Sequence, residues 1–226
     1  MANDAEKEQA ARASLKYVRD GQIVGLGTGS TATIAIRLLG ERVRAGLKIR
    51  GIPTSVASRD LAMQLGIPLI TFEEAQEIDV TIDGADEFDP GLNLIKGGGG
   101  AMLREKIVAF ATKQVVIVTD SSKQVPVLGR FPVPVEVIGF AEPLLAKRIS
   151  ELGAKVVRRL DSSGKPYITD ENHHILDCHF GQISDPAALA CTLSEMPGLV
   201  EHGLFVGMTS VVVMAKAGEV VEFRRG

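Results

Sequence analysis

Three short stretches of this sequence gather residues suited to chemistry on a small anion. The first, Gly25-Leu26-Gly27-Thr28-Gly29-Ser30-Thr31, follows the apolar pair Ile23-Val24 and precedes a run rich in Ala, Ile and Leu. A strand, a glycine turn and a helix start surround an anion with backbone N–H groups and the positive end of a helix dipole. The second, Asp83-Gly84-Ala85-Asp86, sets two carboxylates three residues apart around a glycine, so that both can converge on one ligand. The third is Lys96 followed by Gly97, Gly98, Gly99 and Gly100. Four consecutive glycines cost backbone entropy and suit a chain wrapped closely around a small molecule, with Lys96 supplying positive charge at the edge. The helix expected from about Ala101 carries Arg104, Glu105 and Lys106, one of which is expected to face the pocket.

Each stretch has a competing reading. The first lacks the third glycine of a dinucleotide fingerprint, and residues 44–55 contain no acid to hold a ribose hydroxyl. No lysine follows these glycines, which removes the ATP P-loop. Three hydroxyls, on Thr28, Ser30 and Thr31, suit a phosphate monoester; a plain strand-to-helix turn capped by Ser30 remains open. Asp83 and Asp86 read as proton-exchanging carboxylates, as Mg²⁺ ligands or as a solvated turn, although no calcium-loop spacing appears and no histidine is nearby. Glu87 and Asp89 read as surface charges beside the Pro90-Gly91 turn. The glycine run reads equally as an exposed flexible loop before a charged helix face. His173, His174, Cys178 and His179 resemble a metal cluster in composition. Strand alternation, however, separates His174 and Cys178 from His173 and His179, so no metal is expected there. Cys191 reads as core, and Arg158-Arg159 and Lys147-Arg148 as solvated faces.

The elements that must position these residues alternate. A helix is expected over Asp4 to Val18, then strand, glycine loop, helix Ser30 to Ala45, a strand at Ile49 to Ser55 and a helix Val56 to Leu65. Strand Ile78 to Ile82 ends in the acidic segment, and after Leu92 to Ile95 and the glycine run a helix and the strand Gln114 to Asp120 follow. That order implies a mainly parallel, Rossmann-like sheet covered on both faces. From Val133 the order becomes βαββαβ, the split βαβ unit of a ferredoxin-like fold, and two strands around Gly218 are expected to return to the first sheet. The fold class is therefore α/β with an inserted smaller α+β domain. Residues 1–128 and 206–226 are expected to form the first domain and 129–205 the second. In 226 residues, 45% are hydrophobic and 25 basic residues nearly balance 28 acidic ones, so no basic footprint argues for nucleic acid. Two cysteines without C-x-x-C spacing, no apolar leader at the N-terminus and no run near the roughly 18 apolar residues of a membrane span lead to the expectation of a cytoplasmic protein.

Taken in order, "GTGST", "DGAD" and "KGGGGA" with "REK" just after it resemble the type A ribose-5-phosphate isomerases, as do "SKQV", "FPVPVEV" and "ILD" further on. The similarity spans essentially the whole chain. It implies interconversion of ribose 5-phosphate and ribulose 5-phosphate in the non-oxidative pentose phosphate pathway, no metal or organic cofactor, and a homodimer or homotetramer with its contact in the second domain. It also implies sugar-phosphate binding by Thr28, Gly29, Ser30 and Thr31, by Asp83, Gly84, Ala85 and Asp86, by Lys96, Gly97, Gly98 and Gly99, and by Lys123 and Lys7. Glu105, the middle residue of "REK", matches the family's general base. In that chemistry Asp83 and Asp86 exchange protons with the ring oxygen and hydroxyls, Glu105 carries the C2 proton to C1, and Lys96 with the loop amides steadies the enediolate oxygen. Such a site is expected to be closed and mostly dry. A deaminase or lactonase acting on six-carbon phosphates is the rival enzyme, but it would want a histidine near the acidic turn, and all four lie downstream of it. A non-catalytic sugar-phosphate sensor would want a helix-turn-helix and a basic patch, for which the chain has no room.

Overall fold

The computed structural model describes residues 2–225, which fall into two compact units. The first takes the chain through Ala85, Arg104–Lys123 and everything from Met208 on. Its six-stranded sheet holds β1 (Ile23–Leu26), β2 (Arg50–Pro53), β3 (Ile78–Asp83), β6 (Thr112–Asp120), β12 (Val211–Lys216) and β13 (Glu219–Arg224). Spatially they run β13-β12-β6-β3-β1-β2, parallel except for the edge strand β13, which the turn at Ala217-Gly218 folds back on β12. The apolar runs are continuous because interior parallel strands are buried on both faces: Val211 to Ala215 and Val115 to Val118 are all inside.

Helices α1 (Ala2–Ser14), α2 (Ser30–Arg44) and α3 (Val56–Gln64) supply the cover. On α2, Ala35, Leu38 and Leu39 recur at helical spacing and are buried, joining Ala10, Val24 and Val80 in one core. The first helix stops four residues before the expected Val18: the Ser14 hydroxyl bonds back to Ala11 O at 2.7 Å, and Leu15–Tyr17 tighten into a 3₁₀ turn. Glu6, on α1, fastens the unit's distant segments. Its carboxylate accepts from Ser121 N at 3.0 Å, Ser121 Oγ at 2.8 Å and Ala217 N at 3.1 Å, tying α1 to the 3₁₀ turn Ser121–Lys123 and to the β12–β13 turn.

The second unit comprises Asp86–Leu103 and Gln124–Gly207. Strands β7 (Val133–Val137), β8 (Lys155–Arg158), β9 (His174–His179) and β10 (Leu199–His202) pair in the order β10-β7-β9-β8, antiparallel throughout. Helix α5 (Glu142–Glu151) lies between β7 and β8 in sequence, and α6 (Pro186–Ser194) between β9 and β10, so the ferredoxin-like order expected from the sequence is present. A three-stranded sheet joins β4 (Glu87–Phe88), β5 (Leu94–Ile95) and β11 (Leu204–Phe205). The run Leu199 to Phe205 breaks into two strands at Gly203, whose N–H turns to Pro134 O at 2.7 Å while its carbonyl accepts Lys96 N at 2.8 Å. This small sheet places residues 86–103, 124–128 and 206–207 with the second unit, whereas the sequence boundaries at 128 and 206 assign them to the first. The outermost positions of those expected segments, Met1 and Gly226, lie outside the described residues.

Glu87 and Cys191 differ from expectation. Glu87, read as a surface charge, is fully buried and accepts from Gly129 N at 2.9 Å and Phe131 N at 2.6 Å, with Arg130 Nε at 3.4 Å. Local acidity hid it, since neither donor is near in sequence. Asp89 does serve the turn, accepting from Asn93 N at 2.8 Å. Cys191, read as core, is exposed: Leu193 is the buried residue of α6, and Cys191 sits about 200° round the helix from it.

Replacing Glu87 with Ala strands two part-buried N–H donors, each worth about 1 kcal/mol, so a loss of about 2 kcal/mol in urea unfolding is expected; a loss below about 0.5 kcal/mol would contradict this anchoring. The N–H of Ser121, then that of Ala217, holds the Glu6 carboxyl below the ordinary 4.5. A lowered folded value contributes stability that is complete above pH 4.5 and disappears as pH falls through the folded value. Glu6→Gln is therefore expected to melt below the wild type at neutral pH, with the difference closing as the pH falls below 4.5; a difference that stays constant with pH would refute the assignment.

Candidate active site

In the first unit the chain leaves β1 toward β2 on one side and returns to β3 on the other, so the carboxyl ends of β1 and β3 flank a topological switch point, where open α/β sheets bind ligands. Asp83 ends β3 and is 2% exposed. Its Oδ1 accepts from Thr28 N at 2.9 Å and from Gly84 N at 2.7 Å. A Cβ on Gly27 would stand 2.3 Å from that same Oδ1, so the central glycine of "GLGTGST" answers to the aspartate beside it.

The three hydroxyls of this loop have different surroundings. Thr28 Oγ1 is shared with Thr54 Oγ1 at 2.7 Å and donates to Ser55 Oγ at 2.8 Å, so it stiffens the loop from within. Ser55 in turn caps α3 through a reciprocal pair with Ser58. Ser30 does not cap α2. The residue ahead of the helix is Gly29, at φ +102°, with no side-chain cap and no acid in the first turn. Gly29 and Ser30 are exposed and Thr31 is buried, leaving the positive end of α2 open to an anion.

Two lysines in this unit were implied by resemblance. Lys123 ends the 3₁₀ turn after β6, and Lys7 lies on α1, paired at 3.8 Å with Asp4. Glu6, which the sequence reading passed over among other helix charges, fixes both of their elements through Ser121. Glu105 lies in the first turn of α4 (Met102–Phe110). Of the three charged neighbours it is the buried one, 4% exposed, on the stripe it shares with Met102, Val108 and Ala109. Arg104 instead lines a surface groove of about 420 Å³ with Arg59, Ile70 and Ile107.

The second unit repeats the carboxylate-on-glycine device. Asp86 Oδ2 accepts from Gly98 N at 2.7 Å, and a Cβ on Gly98 would stand 2.6 Å from Asp86 Oδ1. Lys96 is 2% exposed, with Nζ 5.5 Å from the centroid of the Phe205 ring, a cation–π distance. Gly98 and Gly99 are exposed. Arg159, read as part of a solvated face, is corrected: its Nη1 donates to Gly97 O at 2.8 Å and to Gly98 O at 3.2 Å, and its other two nitrogens grip both oxygens of Asp177. Arg158 does lie on the outer side, about half exposed and paired with Glu142. Adjacent arginines at a strand end point to opposite faces, and that alternation was the available signal for telling them apart.

Among the described residues no group of three or more His, Cys, Asp or Glu side chains is placed to hold a metal ion. His173 Nδ1 lies 3.0 Å from Glu136 Oε1 and His174 pairs with Glu142, while burial pushes the Cys178 thiol up to about 12. No described helix is long and apolar enough to cross a membrane.

Residues 50–219 match the family model described as ribose 5-phosphate isomerase A (phosphoriboisomerase A). A ribose-5-phosphate isomerase A of Nitrobacter hamburgensis is 51% identical over 223 residues, 96% of each chain. Among solved structures, a D-ribose-5-phosphate isomerase in complex with phospho-erythronic acid superposes with a TM-score of 0.97 at 37% identity, covering 100% of both chains. The ribose 5-phosphate isomerase A of Methanocaldococcus jannaschii gives 0.93 at 41% identity, covering 96% of this chain and 97% of that one. Similarity of this extent, in sequence and in fold alike, establishes that the chain belongs to the ribose 5-phosphate isomerase A family.

Proposed function

We propose that Glu105, Asp83, Asp86 and Lys96 carry out the reaction of this isomerase, the interconversion of D-ribose 5-phosphate and D-ribulose 5-phosphate in the pentose phosphate pathway. The observation that carries the assignment is the burial of all three of Glu105, Lys96 and Asp83, charged groups that folding otherwise leaves in water.

Aldose–ketose isomerisation moves one proton between C2 and C1 and one between the oxygens, so it is balanced without an external oxidant or reductant, and no cofactor is proposed. Asp83, whose Oδ1 is fixed by two amides, and Asp86, whose Oδ2 is fixed by Gly98 N–H, exchange protons with the ring oxygen and the hydroxyls as the ring opens. Glu105 then takes the C2 proton and returns it to C1 on one face of a cis-enediolate. Lys96 and the amides of Gly97 to Gly99 meet the negative charge that develops on the substrate oxygen. Thr28 to Thr31, Lys123 and Lys7 bind the sugar phosphate, with Gly84 and Ala85 contributing backbone. The open N-terminus of α2 supports the phosphate assignment to the first loop.

The same reading places the enzyme in the cytoplasm as a homodimer or homotetramer, with the contact in the second unit. There Phe140 is 97% exposed, beside Ile138 and Leu144, which are also largely open. Sedimentation is expected to give a dimer or tetramer that Phe140→Asp weakens; a monomeric wild type would exclude the assembly.

The decisive assay follows conversion of ribose 5-phosphate without added cofactor, with a six-carbon phosphate as control. Glu105→Gln keeps the shape and removes the base, so kcat is expected to fall about a thousandfold. Affinity for phospho-erythronic acid should change by less than about threefold. Near-normal turnover in that variant would overturn the assignment of the base.

A further inference from the structure

We infer that Arg159 is a positioning residue for the isomerisation: clamped by Asp177, it sets the planes of the peptides at Gly97-Gly98 and Gly98-Gly99 so that the Gly99 N–H is presented to the substrate's developing oxyanion. The inference rests on the proposed role of the Lys96 to Gly99 loop and adds residues that the motif itself does not contain.

The geometry begins in the β8–β9 pair. Arg159 N donates to Ile175 O at 2.8 Å, which continues the ladder one residue past β8. Asp177, two residues on from Ile175, therefore faces the same side, a diagonal cross-strand neighbour. Its two oxygens receive Nε and Nη2 of Arg159, the Nε contact at 2.9 Å, in the fork geometry that fixes a guanidinium in direction as well as in place. The arginine side chain is only 14% exposed, so solvent competes weakly for it.

The remaining nitrogen, Nη1, is thereby aimed at the glycine loop, where it meets Gly97 O and Gly98 O at 2.8 and 3.2 Å. Among the described residues no peptide is cis, and in a trans peptide the carbonyl and the following N–H point in opposite directions. A carbonyl drawn toward Arg159 therefore sends the next N–H the other way. For the first peptide that N–H is Gly98's, and it finds Asp86 Oδ2. For the second it is Gly99's, on an exposed residue, and no hydrogen bond within the described chain uses it. The Gly99 carbonyl is steadied separately by Tyr167 Oη at 3.4 Å.

Glycine peptides have no side chain to hold their orientation, so an unclamped loop would sample many directions for that N–H. Clamping removes this cost from the reaction step, and a cation on the carbonyl polarises the peptide and strengthens its N–H as a donor.

The test uses the intact enzyme with ribose 5-phosphate and with phospho-erythronic acid, whose carboxylate offers two coplanar oxygens like those of an enediolate. Deleting one oxyanion donor costs about 10²- to 10³-fold in kcat, so Arg159→Ala, which misdirects a donor without removing it, is expected to lower kcat about tenfold to hundredfold with KM within about threefold. Inhibitor affinity should fall in proportion to kcat/KM. Arg159→Lys, which keeps the charge but not the fork, should recover part of the kcat loss; if the alanine variant does not fold, the lysine variant alone must still show a kcat decrease of about threefold or more. Wild-type kcat in a folded variant, or a loss confined to KM, would overturn the inference. A wild type inactive on ribose 5-phosphate would instead refute the function on which it rests.

Discussion

A carboxylate seated against glycine backbone is the contact on which the geometry of the proposed site depends, and each unit has its own copy. Asp83 closes on Gly27 and Thr28, and Asp86 closes on Gly98, at separations that leave no room for a Cβ. In both cases a backbone N–H fixes one oxygen and thereby the direction of the other. Loss of side-chain volume at the glycine and gain of orientation at the aspartate are one event, which explains why flexible residues surround groups that must not wander. The linker between the two carboxylates is only Gly84-Ala85, so both attachments are set within a four-residue stretch.

Around this contact the α/β unit supplies position, and with it two of the proposed reactive groups, Asp83 and Glu105. Parallel strands end together at the switch point, and the α2 terminus, left without a side-chain cap, keeps its partial positive charge for a ligand. The hydroxyl of Thr28, spent on Thr54 and Ser55, makes the loop rigid at the place where amides have to remain in register. The second unit works by a different route. There a strand pair carries an ion pair whose outer nitrogen reaches a loop more than 50 residues earlier in the chain, so antiparallel strand register becomes loop conformation.

What the sequence made legible follows from how far each interaction reaches along the chain. Strands such as Val115 to Val118 announce themselves, because burial on both faces demands an unbroken apolar run. The three motifs are legible as well, since glycines, carboxylates and a lysine stand together in sequence. Glu87, Arg159 and Glu6 were not legible in their roles. Their partners lie tens to more than a hundred residues away, and locally each is a charge among charges. Boundaries erred for related reasons: Ser14 bending its own helix and Gly203 splitting a strand are decided by one hydrogen bond each.

The sheet of the first unit also sets an order of events during synthesis. Strand β12 covers the flank of β6, yet it is synthesised only after the whole second unit. Until then the nascent chain exposes a parallel edge of Val, Ile and Val, the kind of unpaired strand that recruits strangers. The inserted unit, whose strands pair only with one another, is free to form during that interval. Closure by the last two strands is then the committing step, and it completes the set of donors around the Glu6 carboxylate only when the Ala217 amide arrives.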